Sequence, residues 1–229
     1  MSALAGVAFD AFGTLFDLSG LKPRLEERFA ARADAVFGGF TSRLVPYTWH
    51  LTASARYRPI TEVAASAFAA AAREAGAELD EPGARKLAGS LTELPAYPDV
   101  AGGLEALGDR RLAVLSNGTA AGIETLVRGA GVDGHFDHLL AADAVERFKP
   151  APEVYGLLTD AFGAEPAELM LVSAHEWDVA GAQAAGLRGA LVAREGAPTS
   201  FLDHEADLVV GDLGELPDAL ERFEAERDG

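Results

Sequence analysis

The chain has 229 residues, a formal net charge of −17 and no cysteine, so it can bury a sizeable core but cannot use disulfides, Cys-ligated zinc or a cysteine nucleophile. Its acidity argues against nucleic acid and anionic membrane as partners, since both require a basic face, and any anionic substrate would need local cations to hold it. No signal-like segment precedes the first apolar run and no run is long enough to span a bilayer, so a cytoplasmic location is the expectation.

The first element is a short apolar run, Val7 to Phe9, that reads as a buried strand and stops on Asp10, with Gly13 and Thr14 just beyond. From Leu21 to about Pro95 the pattern is helical. Leu21, Leu25, Phe29, Ala33 and Val36 share one face of a helix that Gly38-Gly39 is expected to break. A second helix is expected from about Phe40 to Tyr57, with Pro46 causing a kink or a late start. Alanine-rich Thr61 to Ala75 reads as a third, presenting an inter-helix or homodimer surface, and Glu81 to Leu94 as a fourth.

Past Pro95, strands alternate with helices. Strands are expected at 111–115, 138–141, 169–172, 189–193 and 208–210, and helices at 99–107, 120–129, 152–162, 177–185 and 213–224. That alternation predicts an α/β fold, a doubly wound parallel sheet. The helical block then becomes an insertion: a core of residues 1–16 and 96–229, and a helical cap of residues 17–95.

Three of these strands end on polar residues: Asp10, Ser116 with Asn117, and Ser173 with Asp178 downstream. Lys149 lies in a loop before a helix. Open α/β sheets bind ligands at the carboxyl ends of their strands, so these side chains converge there. Taken singly, Ser116 and Asn117 read equally well as caps of the next helix, Asp178 as a helix-start charge and Lys149 as a surface lysine. Their coincidence at one sheet edge favours a site.

The motifs Asp10-x-Phe12-Gly13-Thr14-Leu15, Leu115-Ser116-Asn117-Gly118, Lys149-Pro150 and Trp177-Asp178-x-x-Gly181-Ala182 resemble the four motifs of the haloacid dehalogenase superfamily. Phe16-Asp17, Tyr47-Thr48-Trp49 and the Trp177-Asp178 pair are similar to its 2-haloacid dehalogenase branch. The resemblance implies covalent catalysis in which Asp10 displaces halide from a small 2-haloacid and water hydrolyses the aspartyl ester. It implies that Thr14, Ser116, Asn117 and Lys149 position Asp10, hold the substrate carboxylate and stabilise charge. Asp178, helped by Ser173, would orient Lys149 or activate water, and Phe12 and Trp177 would keep the site dry.

The superfamily's phosphatases carry a second acid where this chain has Phe12, and a magnesium-binding carboxylate where it has Ser173. Asp10 and Asp178 alone are a thin shell for an octahedral cation, so no metal and no cofactor is expected; Glu176 is a spare acid nearby. A phosphatase acting on a small metabolite, or a repurposed non-catalytic binding protein, are the competing readings.

Two departures from the branch matter. Aligned on Tyr47-Thr48-Trp49, the arginine that the resemblance implies for halide and carboxylate falls at Thr41. Arg43, two residues on, lies about 200° round a helix and would need a local shift to replace it. His175 stands where the branch usually has Asn, and either takes over that role or serves the water step.

Overall fold

The computed structural model describes residues 4–194, 200–202 and 204–228. Strand β1 (Gly6–Phe9) is followed by four helices, α1 (Lys22–Phe29), α2 (Ala33–Ala53), α3 (Ile60–Glu74) and α4 (Glu81–Gly89). The chain then runs through α5 (Val100–Ala106), β2 (Leu112–Ser116), α6 (Ala120–Gly129), β3 (His138–Ala141), α7 (Pro152–Phe162), β4 (Leu169–Ser173), α8 (Glu176–Ala184) and β5 (Arg188–Val192). A short antiparallel pair, β6 (Ser200–Phe201) and β7 (His204–Glu205), precedes β8 (Leu208–Val210) and α9 (Leu216–Asp228).

The main sheet has six parallel strands in the order β3-β2-β1-β4-β5-β8. Strand order reverses at β1, with β2 on one side and β4 on the other, the topological switch point at which such sheets bind ligands. Alternating strand side chains feed two cores. Val7, Phe9, Val114 and Val172 pack with residues of α5, α6 and α9. Ala8, Ala113, Leu115 and Leu171 pack on the opposite face with Val154, Tyr155 and Leu158 of α7. Helices on both faces bury β1, β2 and β4 completely.

The helical insertion leaves the sheet after Phe16 and returns at Ala96, and these two crossings pair with each other. Asp17 N–H donates to Pro95 O at 2.8 Å and Tyr97 N–H to Leu15 O at 3.0 Å.

Within the insertion the expected break is displaced. Helix α1 ends at Ala30, which has φ 49°, and α2 runs unbroken through Gly38, Gly39 and Pro46. A Cβ on Gly39 would lie 2.9 Å from Ala71 Cβ, so this glycine is there for close approach of α3 and not as a stop. Pro46 neither delays the start of α2 nor ends it. Ala64, Ala67, Phe68 and Ala71 of α3 are buried in the core shared with α2, where Phe40 stacks on Phe68; this face of the alanine-rich helix is inter-helix. The fourth helix is shorter than expected, giving way at Ser90 to a 3-10 turn. No described helix is long and apolar enough to cross a membrane.

Candidate active site

Asp10 is the first residue past β1, and its N–H is held by Val172 O of the neighbouring strand at 2.9 Å. The turn that follows closes on itself, with Leu15 and Phe16 N–H both donating to Ala11 O, and Gly13 taking a φ of 84° that favours glycine. This turn swings Thr14 back over Asp10. The Thr14 hydroxyl donates to Asp10 Oδ2 at 2.9 Å and accepts from Ala174 N–H at 2.9 Å, tying the β1 loop to the β4 loop.

Lys149 is fully buried, and its Nζ bridges the two acids, 3.1 Å from Asp10 Oδ1 and 2.9 Å from Asp178 Oδ2. It is not the surface lysine of the plain reading. Burial alone would depress its ammonium, but the attraction of Asp10 and Asp178 overrides this and holds it above the ordinary lysine value. Asp178, in the first turn of α8, is buried too. Burial, with Asp10 adding like-charge repulsion, lifts its carboxyl above the usual range against the pull of Lys149.

Tyr155 of α7 completes the cluster, donating to Asp178 Oδ1 at 2.8 Å. The sequence reading missed this residue: an aromatic on the inward face of a helix reads as core. The signal that could have found it is its place just after Lys149-Pro150, on the helix that motif starts. With it, all four oxygens of Asp10 and Asp178 have partners: Lys149, Thr14, Lys149 and Tyr155. Among the described residues, no three His, Asp or Glu side chains converge as a cation site.

Ser116 and Asn117 do not cap α6; Thr119 does, accepting from Gly122 N–H. Ser116 Oγ accepts from Gly118 N–H at 3.0 Å, and Asn117 Oδ1 accepts from Lys149 N–H at 2.8 Å. The latter bond fixes the Asn117 amide, leaving its NH₂ free to donate to a ligand. Ser173 Oγ accepts from His175 N–H at 3.2 Å, shaping the loop that leads into α8. The His175 ring stacks on Trp177, and its Nε2–H donates to Phe12 O at 2.9 Å; the same nitrogen is 3.8 Å from Asp10 Oδ2.

Above Asp10 lies a small cavity of about 50 Å³ lined by Asp10, Phe12, Asn117, His175 and Trp177 from the sheet side and by Leu44, Val45, Thr48, Ile60 and Leu91 from the helical insertion. Trp49 meets Trp177 edge to face. A larger groove on the outer surface between α3 and α4 is lined by Arg58, Glu62, Glu81 and Arg85, which pair with one another.

Neither Thr41 nor Arg43 lines the cavity. The Thr41 hydroxyl donates back to Phe37 O and Gly38 O of its own helix. Arg43 bonds Gly39 O and pairs with Glu74 of α3, so α2 carries no local shift that delivers it to the site. Both substrate-contact expectations are therefore corrected. Among the described residues lining the cavity, His175 is the one side chain able to become a cation.

The family model for "haloacid dehalogenase-like hydrolase" matches residues 4–186. The chain belongs to this hydrolase family. It is 31% identical to haloacetate dehalogenase H-2 of Moraxella sp. (strain B), over 92% of this chain and 95% of that protein. It is 34% identical to the (S)-2-haloacid dehalogenase of Xanthobacter autotrophicus, over 83% of this chain and 76% of that protein. The solved structure of L-2-haloacid dehalogenase from Xanthobacter autotrophicus superposes with a TM-score of 0.91 at 30% identity, covering 96% of this chain and 99% of that one. A second structure of that enzyme holds chloropropionic acid covalently bound.

Proposed function

We propose that this hydrolase of the haloacid dehalogenase-like family is a 2-haloacid dehalogenase working through a covalent ester on Asp10. The observation that carries the reading is the floor of the cavity. A carboxylate held by Lys149 and Thr14 faces an apolar wall, with Phe12 two residues on and no second acid among the described residues lining the cavity. Phosphoryl transfer in this family needs that second acid to protonate the leaving oxygen, whereas displacement of halide from carbon needs no proton on the leaving group.

In the first step an Asp10 carboxylate oxygen bonds to the substrate carbon as the carbon–halogen bond breaks, and halide leaves with the electron pair. In the second, water adds to the ester carbonyl. The carbon–oxygen bond to substrate stays intact, so a 2-hydroxy acid of inverted configuration leaves and Asp10 keeps the water oxygen. A proton and a halide are the other products. Lys149 and Thr14 aim Asp10 and, with Lys149 as the cation, stabilise the oxyanion of the second step. Asp178 orients Lys149, both of its oxygens being taken up by Lys149 and Tyr155. The Asn117 amide receives the substrate carboxylate, Ser116 shapes the loop that presents it through its bond from Gly118 N–H, and Ser173 fixes the loop that carries His175.

Asp10, Asp178 and Lys149 together carry one net negative charge beneath an anionic substrate. His175 lines the cavity that Thr41 and Arg43 do not reach, its ring fixed by Phe12 O and by the stack on Trp177. The small apolar cavity suits short substrates such as haloacetates and L-2-chloropropionate. Residues 17–95 serve as the cap over a core of residues 1–16 and 96–229. The reading places a metal-independent enzyme in the cytoplasm, with a small organic anion as its partner, no role for nucleic acid or membrane, and a homodimer compatible with it.

The test is halide release from chloro-, bromo- and fluoroacetate and L-2-chloropropionate, with mass spectrometry of the trapped protein. Release with an ester on Asp10, and loss of both in Asp10→Asn, supports the proposal. No halide from any of the four, with magnesium-dependent phosphate release from a phosphomonoester panel, reinstates the phosphatase reading.

A further inference from the structure

One half-buried cation has no part in the chemistry just described. Arg194 follows β5 and reaches back to the loop of Asp10, its side chain only 19% exposed. Its guanidinium has three partners. It forks onto both oxygens of Asp99 at 3.1 Å each, donates to Thr14 O at 2.8 Å, and lies 3.8 Å above the ring of Tyr97.

These partners are not a random surface set. Thr14 is the residue whose hydroxyl holds Asp10 Oδ2. It sits where the chain leaves the core for the helical insertion, while Tyr97 sits where the chain returns; Tyr97 N–H donates to Leu15 O between them. Asp99 precedes α5 and also accepts from Leu213 N–H at 2.8 Å, which anchors the assembly to the core. Burial pushes the Asp99 carboxyl up, but the Arg194 and Leu213 donors override it and hold it below the usual aspartate value.

A plain ion pair between the end of β5 and α5 would need only Asp99. The bond to the Thr14 carbonyl and the stack on Tyr97 go further, gripping both crossings of the insertion. A planar fork with a stacking face can make these contacts together, and an ammonium cannot.

We propose that Arg194 is a positioning residue that locks the two crossings of the cap together and, through Thr14, holds Asp10 in register beneath it. The kinetic part rests on the reading of Asp10 as nucleophile; the hinge part does not. Because Arg194 does not line the cavity, its loss should act on turnover more than on substrate binding.

The test uses the full chain and two variants, Arg194→Met and Arg194→Lys, with thermal unfolding to establish that each is folded. Hydrogen exchange is read at the hinge amides of Asp17 and Tyr97, and halide release gives kcat and KM. For Arg194→Met, kcat should fall by about 10- to 100-fold with KM within about threefold, as expected when a reacting group is misplaced by an ångström or less. Hinge exchange should speed up by about tenfold or more, since the bonds that close the hinge lose their clamp. Arg194→Lys should fall between wild type and Arg194→Met, keeping the charge on Asp99 but losing the fork. If Arg194→Met does not fold, Tyr97→Leu replaces it, removing the stack alone. Unchanged hinge exchange overturns the proposal whatever the substrate proves to be. Faster exchange with kcat within about twofold of wild type also overturns it, because Arg194 would then tie the fold without positioning the nucleophile. If the wild-type protein releases no halide, the dehalogenase reading fails and the exchange arm alone decides the hinge.

Discussion

The Tyr155 hydroxyl donates to Asp178 Oδ1 at 2.8 Å, taking the carboxylate oxygen that Lys149 leaves open. Burial, reinforced by the Asp178 charge, lifts the phenol well above its ordinary value, so it stays protonated and remains a donor. Tyr155→Phe keeps the ring and removes that donor. A buried acceptor without its partner costs about 1–3 kcal/mol. Urea unfolding of Tyr155→Phe should show a loss in that range with an unchanged m-value. Its kcat should fall as well, because Asp178 is then free to reorient Lys149. Unchanged stability and kcat together would mean that this bond does not hold the cluster.

Lys149→Met leaves two buried carboxylates facing each other without their cation. Removing one partner of a buried ion pair typically costs about 3–5 kcal/mol, and halide release should be lost. The pH dependence has a definite sign. Asp178 already has its carboxyl raised above the ordinary 3.8 by burial and by Asp10, and losing Lys149 raises it further. A group whose folded value is raised contributes stability that is present below its unfolded value and lost as pH rises through the folded one. The deficit of Lys149→Met against wild type should therefore shrink on going from about pH 7 to about pH 5. In the wild-type protein, Lys149, raised above 10.5, contributes stability that is lost only as pH climbs through its folded value. Denaturant titrations from about pH 5 to about pH 7 check the first statement, and their extension above about pH 10 checks the second.

Gly181 is the glycine of the Trp177-Asp178-x-x-Gly181-Ala182 motif, and its reason is steric. A Cβ there would run into the Tyr155 hydroxyl and lie 2.7 Å from Pro150 Cβ. Glycine to alanine inside a helix ordinarily gains about 0.5–1 kcal/mol. Gly181→Ala should instead destabilise, by the roughly 1–3 kcal/mol typical of overpacking, and should lower kcat by displacing Tyr155 from Asp178. A stabilised, fully active Gly181→Ala would show that α8 and α7 have slack the structure does not show.

That glycine marks how far the sequence could be read. Asp10, Ser116 and Ser173 were legible as an edge because each closes an apolar run, and parallel strands must put such ends together. Lys149 came from its motif, and the structure adds that it is wholly buried between two acids. Gly38-Gly39 misled because helix propensity sees an entropic cost and cannot see Ala71 across the interface. Thr41 and Arg43 failed for a related reason: which face of α2 meets the sheet is fixed by packing against α3, where Glu74 claims Arg43. Tyr155 and Arg194 were invisible because their roles are defined by partners more than twenty residues away in sequence, Asp178 in one case and Thr14 in the other.

Glu224 offers a separate test of how the first strand is held. Its carboxylate takes a bidentate pair from Arg110 at 2.7 Å on each side and also accepts from Leu4 N–H at 2.8 Å, joining α9 to the residues that lead into β1. The Arg110 bonds are the main reason its carboxyl lies below the ordinary 4.5; the Leu4 amide adds to them, and burial opposes both. A carboxylate lowered in the folded state contributes stability that is present above its unfolded value and lost as pH falls through the folded one. Wild type should therefore lose stability from this pair on acidification below about 4.5. Glu224→Gln should be less stable than wild type near neutrality, and its stability should fall less steeply between about pH 5 and about pH 3. Parallel acid limbs for the two proteins in urea titrations would show that the Arg110 pair makes no net contribution, and that β1 is held by its sheet neighbours alone.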